Sequence, residues 1–200
     1  MNSRCPIAGL ILAGGASRRM GTPKALLRFQ NETFLDRLIR LFSGVANPVI
    51  VVLGHQSDQI RSGIERASEA IFAVNPDPER GMLSSLQCGL NVLPAGTEAV
   101  MFTPVDHPNL QPATLEKLAG LFETEGAPVI VPTYDGEHGH PVCIARALAN
   151  ELLALPASAM ASDVIHKYVS RTRYIAVDDP TVTIDVDDPE AYAGLLAQRQ

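Results

Sequence analysis

The 200-residue chain has no tryptophan, only three cysteines, and no apolar run long enough to cross a bilayer. Cys5, Cys88 and Cys143 lie far apart and form no Cys-x-x-Cys pair, which excludes a disulfide framework. We therefore expect ordinary thiols in a reducing compartment, with the cytoplasm as the location. A spanning helix needs about 18 or more consecutive apolar residues, so we expect no membrane partner.

The net charge is only −6, but acidic and basic residues are clustered in separate segments. Residues 174–190 contain six acids and no lysine or arginine, whereas four basic residues lie near the N-terminus. These basic residues are Arg18, Arg19, Lys24 and Arg28. A basic loop and an acidic segment suit one polyanion and its metal ion. A nucleic-acid surface would need a strongly basic face, so we expect no nucleic-acid partner.

Apolar runs of strand length alternate with segments of helical period. The predicted strands are 6–13, 48–53, 70–74, 99–105, 128–131, 141–144, 174–177 and 182–186. The predicted helices are 31–42, 58–67, 82–93, 114–122, 146–155, 162–169 and one after Pro189. This alternation predicts a single α/β domain over residues 1–200, a Rossmann-like three-layer α/β/α fold with a mostly parallel sheet. Ligands of such sheets bind where the strands end at their carboxyl side.

The loop after the first predicted strand, residues 12–24, reads Leu-Ala-Gly-Gly-Ala-Ser-Arg-Arg-Met-Gly-Thr-Pro-Lys. Its glycines let the backbone approach a ligand, and successive N–H groups in such a loop bind anions. With two arginines and a lysine added, the loop predicts polyphosphate binding; the alternative is a glycine-rich turn with solvated charges. A dinucleotide fingerprint is absent because of Ala16, and a P-loop is absent because Ala25 follows Lys24.

Acidic residues at two strand ends are candidate metal ligands. Asp106 follows the strand 99–105, and residues 184–190 read Ile-Asp-Val-Asp-Asp-Pro-Glu. In an extended segment Asp185 and Asp187 would lie on one face. Mg²⁺ takes few carboxylates together with phosphate oxygens, whereas a turn or a helix cap is the alternative role. We expect Asp178 and Asp179 in a surface turn.

The loop 12–24 matches Leu-Ala-Gly-Gly-x-Ser-x-Arg-Met-Gly-x-x-Lys, and it resembles the molybdenum-cofactor nucleotidyltransferases, the molybdopterin guanylyl- and cytidylyltransferases. The resemblance covers nearly the whole chain in order. It implies an Mg²⁺-dependent enzyme that transfers NMP from an NTP to the phosphate of molybdopterin and releases pyrophosphate. A molybdoenzyme is a further implied partner.

The resemblance also implies roles for individual residues. Arg19 and Lys24 would be catalytic, at the phosphates. The implied nucleotide-binding residues are Leu12, Ala13, Gly14, Gly15, Ser17, Arg18, Gly81 and Ser84. Asp106 and Asp187 would hold the metal, since the family carries Asp-x-Pro and Asp-x-Asp/Asn-x-Pro-Glu at these places; Asp187 is favoured over Asp185 as the direct ligand.

The segment Gly-His-Pro-Val at 139–142 resembles the acceptor side of the family, which implies acceptor contacts from Gly139 and His140. This segment resembles the cytidylyl branch, whereas Gly15 is more usual in the guanylyl branch. These two features conflict, and of the two nucleotides we favour CTP over GTP.

Two alternatives to this function remain: a transferase of the same fold acting on a sugar phosphate or phospho-alcohol, and a non-catalytic nucleotide- or cofactor-binding chaperone. The paired carboxylates and basic residues favour an enzyme.

Overall fold

Apolar, β-branched runs of the sequence form one central sheet in the computed structural model, which describes residues 6–156 and 159–197. Its longer strands are β1 (Ile7–Ala13), β4 (Val49–Leu53), β5 (Ile71–Val74), β6 (Ala99–Pro104), β7 (Val129–Tyr134), β9 (Val142–Ala145) and β10 (Thr172–Ala176). A two-residue strand, β8 (Glu137–His138), pairs with β7, while β2 (Arg28–Phe29) and β3 (Glu32–Thr33) form a separate hairpin.

The strand order across the sheet is β10-β7-β9-β6-β1-β4-β5. Central strand β1 runs parallel to both β4 and β6, and Leu12 lies opposite Val52 and Pro104. Only β8 and β9 run antiparallel within the described sheet, β8 to β7 and β9 to both β6 and β7. The connection from β7 to β9 is too short for a crossover helix, which is why β9 reverses direction. The prediction of a mostly parallel sheet is confirmed.

Helices cover both faces of this sheet. They are α1 (Phe34–Ser43), α2 (Ser57–Ser62), α3 (Met82–Asn91), α4 (Pro112–Glu125), α5 (Arg146–Leu153), α6 (Ala161–Lys167) and α7 (Pro189–Ala197). One apolar core joins the sheet to α1, α2, α4 and α7, and the other joins it to α3, α5 and α6. Each predicted helix is present, although α2 ends at Ser62 because Gly63 caps it. Within the described residues no helix is both long and apolar enough to span a bilayer.

Two predictions near the C-terminus are wrong. Residues 182–186 do not form a strand, because Pro180–Thr183 form a 3-10 turn and irregular chain follows it. Asp179 is not in a surface turn: it is 1% exposed, and its carboxylate accepts a hydrogen bond from Thr181 N at 3.0 Å. This buried carboxylate holds the turn, so the backbone cannot extend into a strand. The chain then reaches the sheet edge, where Val186 N donates to Asp106 O at 2.9 Å.

Candidate active site

A cleft of about 340 Å³ opens at the carboxyl ends of β1 and β6. Its walls contain most of the residues that the sequence predicts for phosphate and metal binding. They are Leu12, Ala13, Gly14, Gly15, Ser17, Arg18, Arg19, Lys24, Gly81, Asp106 and Asp187. The volume is within the range of small-molecule sites. Three segments that are distant in sequence, the loop after β1, the loop after β6 and the segment before α7, therefore meet in one cleft.

The loop after β1 is held in a compact conformation. Ser17 adopts a positive φ of 50°, and its Oγ accepts a hydrogen bond from Lys24 N at 2.9 Å. The loop also packs closely on the end of β4, where a Cβ at Gly54 would lie 2.5 Å from Gly14 O. Only glycine fits at position 54 without displacing this loop. The backbone around Gly14 and Gly15 is thus fixed before a ligand arrives.

Lys24 lies at the centre of the charged groups in the cleft. Its Nζ is 3.0 Å from Asp106 Oδ2 and 2.5 Å from Asp187 Oδ1. Arg19 contacts the second oxygen of Asp187, with a guanidinium nitrogen 2.5 Å from Oδ2. The side chain of Lys24 is only 12% exposed, whereas that of Asp187 is 36% exposed. The cations of the first loop therefore face the two predicted metal-binding carboxylates.

The pKa values of these groups move in the directions that strengthen their charges. Burial opposes the charge of Lys24, but hydrogen bonds from its ammonium to Asp187 and Asp106 outweigh burial and raise its pKa. The hydrogen bond from Lys24 lowers the pKa of Asp187; burial opposes this shift and Arg19 reinforces it. Both groups are therefore charged at neutral pH, and the cleft carries matched positive and negative charge.

The carboxylates of Asp106 and Asp187 are placed so that they could hold a divalent cation. Both already contact a single cationic group, Lys24 Nζ, so their oxygens converge on one region of the cleft. Mg²⁺ commonly takes one or two carboxylates and completes its shell with water and phosphate oxygens. The donor set therefore fits this ion. Asp185 is exposed and does not line the cleft.

Of the two serines at the start of α3, the cleft is lined by Ser85 rather than by the predicted Ser84. Ser84 is buried, and its Oγ donates to Gly81 O at 2.8 Å. Asn75 holds both hydroxyls, because its Nδ2 donates to Ser84 Oγ at 2.8 Å and to Ser85 Oγ at 3.1 Å. The two serines are adjacent in the helix and share one hydrogen-bond donor, so the sequence alone did not distinguish them.

The predicted acceptor residues Gly139 and His140 do not line this cleft. The ring of His140 packs against His107, with centroids 4.9 Å apart, behind Asp106. The Nδ1 atoms of both histidines are buried without a hydrogen-bond partner among the described residues. Burial lowers the pKa of His140 from 6.5 to about 4, so its ring is neutral at physiological pH.

Several residues of the cleft were missed by sequence reasoning. Glu79 lies beside it and accepts a hydrogen bond from Arg18 at 3.0 Å, while His55 Nε2 is 3.1 Å from the same oxygen. The missed lining residues are Pro23, Ala25, Ile60, Pro78, Met82, Ser85, Pro104 and Val105. Most of them are apolar and resemble core residues in the sequence. The signal that could have indicated some of them is adjacency to predicted site residues: Pro23 and Ala25 flank Lys24, Met82 follows Gly81, Ser85 follows Ser84, and Pro104 and Val105 precede Asp106.

The fold and the cleft together define the class of an α/β nucleotidyltransferase, with a glycine-rich basic loop opposite two carboxylates. Residues 9–172 match the family described as the MobA-like NTP transferase domain, and the chain belongs to this family.

Related sequences include molybdenum cofactor guanylyl- and cytidylyltransferases and bifunctional GlmU proteins. The probable molybdenum cofactor guanylyltransferase of Bacillus cytotoxicus is 32% identical over 65% of this chain and 63% of its own length. The molybdenum cofactor guanylyltransferase of Sinorhizobium fredii is 30% identical over 90% of this chain and 81% of its own. The molybdenum cofactor cytidylyltransferase of Escherichia coli is 24% identical over 92% of both chains.

Solved structures share the fold over almost the full length. A homologue of Rv0371c from Mycobacterium sp. strain JC1 has a TM-score of 0.85, with 28% identity over 98% of this chain and 97% of its own. Rv0371c of Mycobacterium tuberculosis, solved in complex with manganese, has a TM-score of 0.81, with 25% identity over 96% of this chain and 98% of its own. The whole described architecture therefore belongs to an established fold.

Proposed function

We propose that this chain transfers the nucleoside monophosphate of CTP to the phosphate of molybdopterin and releases pyrophosphate. The observation that carries this proposal is the contact of Lys24 with Asp106 and Asp187 beside the glycine-rich loop. A protein that only bound phosphate would need the loop and its cations, but it would not need two carboxylates facing them. Paired carboxylates beside a polyphosphate loop are what phosphoryl transfer with a divalent metal requires.

The chain's own residues would act by positioning and by neutralising charge. The N–H groups around Gly14 and Gly15 bind the phosphates of the nucleotide, and Arg18 and Arg19 lie at the same loop. The acceptor phosphate is itself the nucleophile, so no covalent enzyme intermediate is required. Lys24 presents its ammonium to the charge that develops on the transferred phosphoryl group. Such a site works by holding two anions in reactive contact.

Mg²⁺ is the proposed metal, with Asp106 and Asp187 as its protein ligands. Their convergence on Lys24 Nζ shows that these two side chains already accommodate one cation between them. When bound, the ion would neutralise phosphate charge and help to orient the reacting groups. The manganese complex of the mycobacterial relative supports a divalent metal in a protein of this fold.

The choice of CTP rests on the Gly-His-Pro-Val segment at residues 139–142, which resembles the cytidylyl branch. The names of the relatives are divided between guanylyl- and cytidylyltransferases, so GTP is the alternative donor. The decisive experiment measures pyrophosphate release with Mg²⁺ and each of the four NTPs, with and without molybdopterin. We expect release with CTP only, and only when molybdopterin is present.

Other results would overturn separate parts of the proposal. Pyrophosphate release with GTP instead of CTP would support the proposed reaction but would show that the donor nucleotide is GTP. If no NTP gives pyrophosphate release, molybdopterin is not the acceptor. Pyrophosphate release on adding a sugar phosphate or phospho-alcohol would then identify another acceptor. Stabilisation by an NTP in a thermal-shift assay, without turnover on any acceptor, would indicate a non-catalytic nucleotide-binding protein.

A variant test addresses the two carboxylates directly. Asp106→Asn should lower turnover by about 10²–10³-fold, the magnitude typical of losing one charge-stabilising group. Glu123→Gln, on the exposed side of α4, removes one carboxylate away from the cleft and serves as the control. Equal turnover in the two variants would refute the assignment of Asp106.

A further inference from the structure

Two exposed aromatic side chains stack on each other outside the cleft. The rings of His138 and Tyr174 stack with centroids 4.5 Å apart and planes at 16°. His138 pairs with Thr133 and Tyr174 pairs with Val131, so both side chains lie on the same face of the sheet, above β7. Tyr174 is 39% exposed and His138 is also exposed. We call these two residues the aromatic platform.

The aromatic platform lies on the same edge of the sheet as the cleft. His138 belongs to the short strand that follows the carboxyl end of β7. Strand β7 lies two strand spacings, about 10 Å, from β6, the strand that leads to Asp106. Between them lie the rings of His107 and His140, which pack at a tilt of 55° with centroids 4.9 Å apart. An acceptor that binds both in the cleft and on the platform must therefore extend across these two rings.

The backbone that carries His138 is held in place by hydrogen bonds. Gly139 N donates to Pro132 O at 2.9 Å, and His140 N donates to Val182 O at 2.8 Å. A Cβ at Gly139 would lie 2.4 Å from Val182 O, so this hairpin packs directly on the turn after β10. The platform is thus preorganised, which lowers the entropic loss when a ring binds to it.

The charged residues around the aromatic platform disfavour the binding of a phosphate group there. Residues 134–140 and 174–178 contain no lysine or arginine but three acids, Asp135, Glu137 and Asp178, all of them exposed. Lys117 is the basic residue seen to contact this segment, where its Nζ donates to Ala176 O at 2.8 Å. A flat, uncharged heteroaromatic ring with amino and N–H donors fits aromatic faces beside carboxylates better than a polyphosphate does.

We propose that His138 and Tyr174 bind the aminopyrimidinone ring of the acceptor while its phosphate lies near Asp106 and Lys24. This inference rests on the proposed function, because it takes the acceptor to be a phosphorylated pterin. It assigns acceptor recognition to residues that the sequence did not indicate. Gly139 and His140 would then contribute by fixing the hairpin on which His138 stands.

The test measures equilibrium binding of free pterin, 2-amino-4-oxopteridine, to the full chain by quenching of the pterin's own fluorescence. Loss of a stacking side chain typically weakens ring binding by about 5- to 100-fold, so Tyr174→Ala and His138→Ala should each raise the Kd by this factor. Tyr174→Phe should restore binding relative to Tyr174→Ala. Arg173→Ala is the matched control, since Arg173 is the neighbouring residue on β10 and points to the opposite face.

The outcomes separate this inference from the proposed function, because pterin binding is measured without nucleotide or turnover. Pterin binding that is lost in Tyr174→Ala supports the platform, even if molybdopterin releases no pyrophosphate with any NTP. Absence of pterin binding, or a wild-type Kd in both alanine variants, would overturn the platform. A loss of CTP-induced thermal stabilisation in Tyr174→Ala would also overturn it, since the rings would then serve the nucleotide.

Discussion

Replacement of Lys24 by methionine tests the centre of the cleft, because among the described residues this side chain alone contacts both carboxylates. Removing one partner from a fully buried ion pair destabilises a protein by about 3–5 kcal/mol, but Asp187 is 36% exposed and is partly screened by solvent. We therefore expect Lys24→Met to lower the free energy of unfolding by about 1–3 kcal/mol. For a chain of this length that corresponds to a fall in Tm of about 2–12 °C.

The same variant should lower turnover by about 10²–10³-fold in the pyrophosphate-release assay, since it removes a cation from the developing charge. Added Mg²⁺ should raise its Tm more than that of the wild type, because the ion then replaces the missing ammonium between Asp106 and Asp187. Lys167→Met is the control, as it removes an exposed ion pair with Glu151 and should leave both Tm and turnover unchanged. Turnover within tenfold of wild type would refute the central role of Lys24.

Further predictions concern residues outside the cleft. Asp179→Ala should destabilise the protein by about 2–4 kcal/mol in urea unfolding, because Thr114 and Thr181 lose a buried acceptor, whereas exposed Asp178→Ala should not. Gly89→Ala should lower stability by about 1–3 kcal/mol, since its Cβ would lie 2.3 Å from Leu10 Cδ1, whereas Gly120→Ala, with open space around it, should raise Tm slightly. Burial of His140 should lower stability by about 3 kcal/mol as pH drops from 6.5 to 4, because the unfolded chain protonates this ring while the folded chain keeps it largely neutral until pH nears 4. His140→Gln should remove this contribution and leave that of His107, whose pKa burial also lowers. A Gly120→Ala variant as unstable as Gly89→Ala, or an unchanged pH profile in His140→Gln, would contradict these arguments.

Much of the fold could be predicted from the sequence because its strands are continuous apolar runs and its helices have amphipathic periods. In the predicted strand 48–53, every residue of Val49–Leu53 is buried, as a central parallel strand requires. The run at 182–186 has similar apolar residues but forms no strand, because the buried carboxylate of Asp179 holds a turn there. Local pattern cannot reveal a constraint whose partners, Gln111 and Thr114, lie 68 and 65 residues away at the start of α4.

Part of the composition of the cleft could also be predicted from the sequence. The loop 12–24 carries its glycines and cations within one short segment, so its chemistry appears in the sequence directly. The place where Asp187 lies relative to Lys24 depends on the path of the whole chain, and only the folded structure decides it. The same is true of Ser85, which differs from Ser84 by one step of helical rotation, and of Gly54, which is needed because Gly14 packs against it.

The sequence by itself determined the layers of the fold, the glycine-rich basic loop and the pair of acidic positions, because each depends on residues that are close together in the chain. Tertiary structure alone decided which side chains meet. It brought Lys24 between Asp106 and Asp187, placed His140 behind Asp106 instead of in the cleft, and stacked His138 on Tyr174. These contacts join segments that neighbour one another only in the sheet, so their physical origin is the order and direction of its strands.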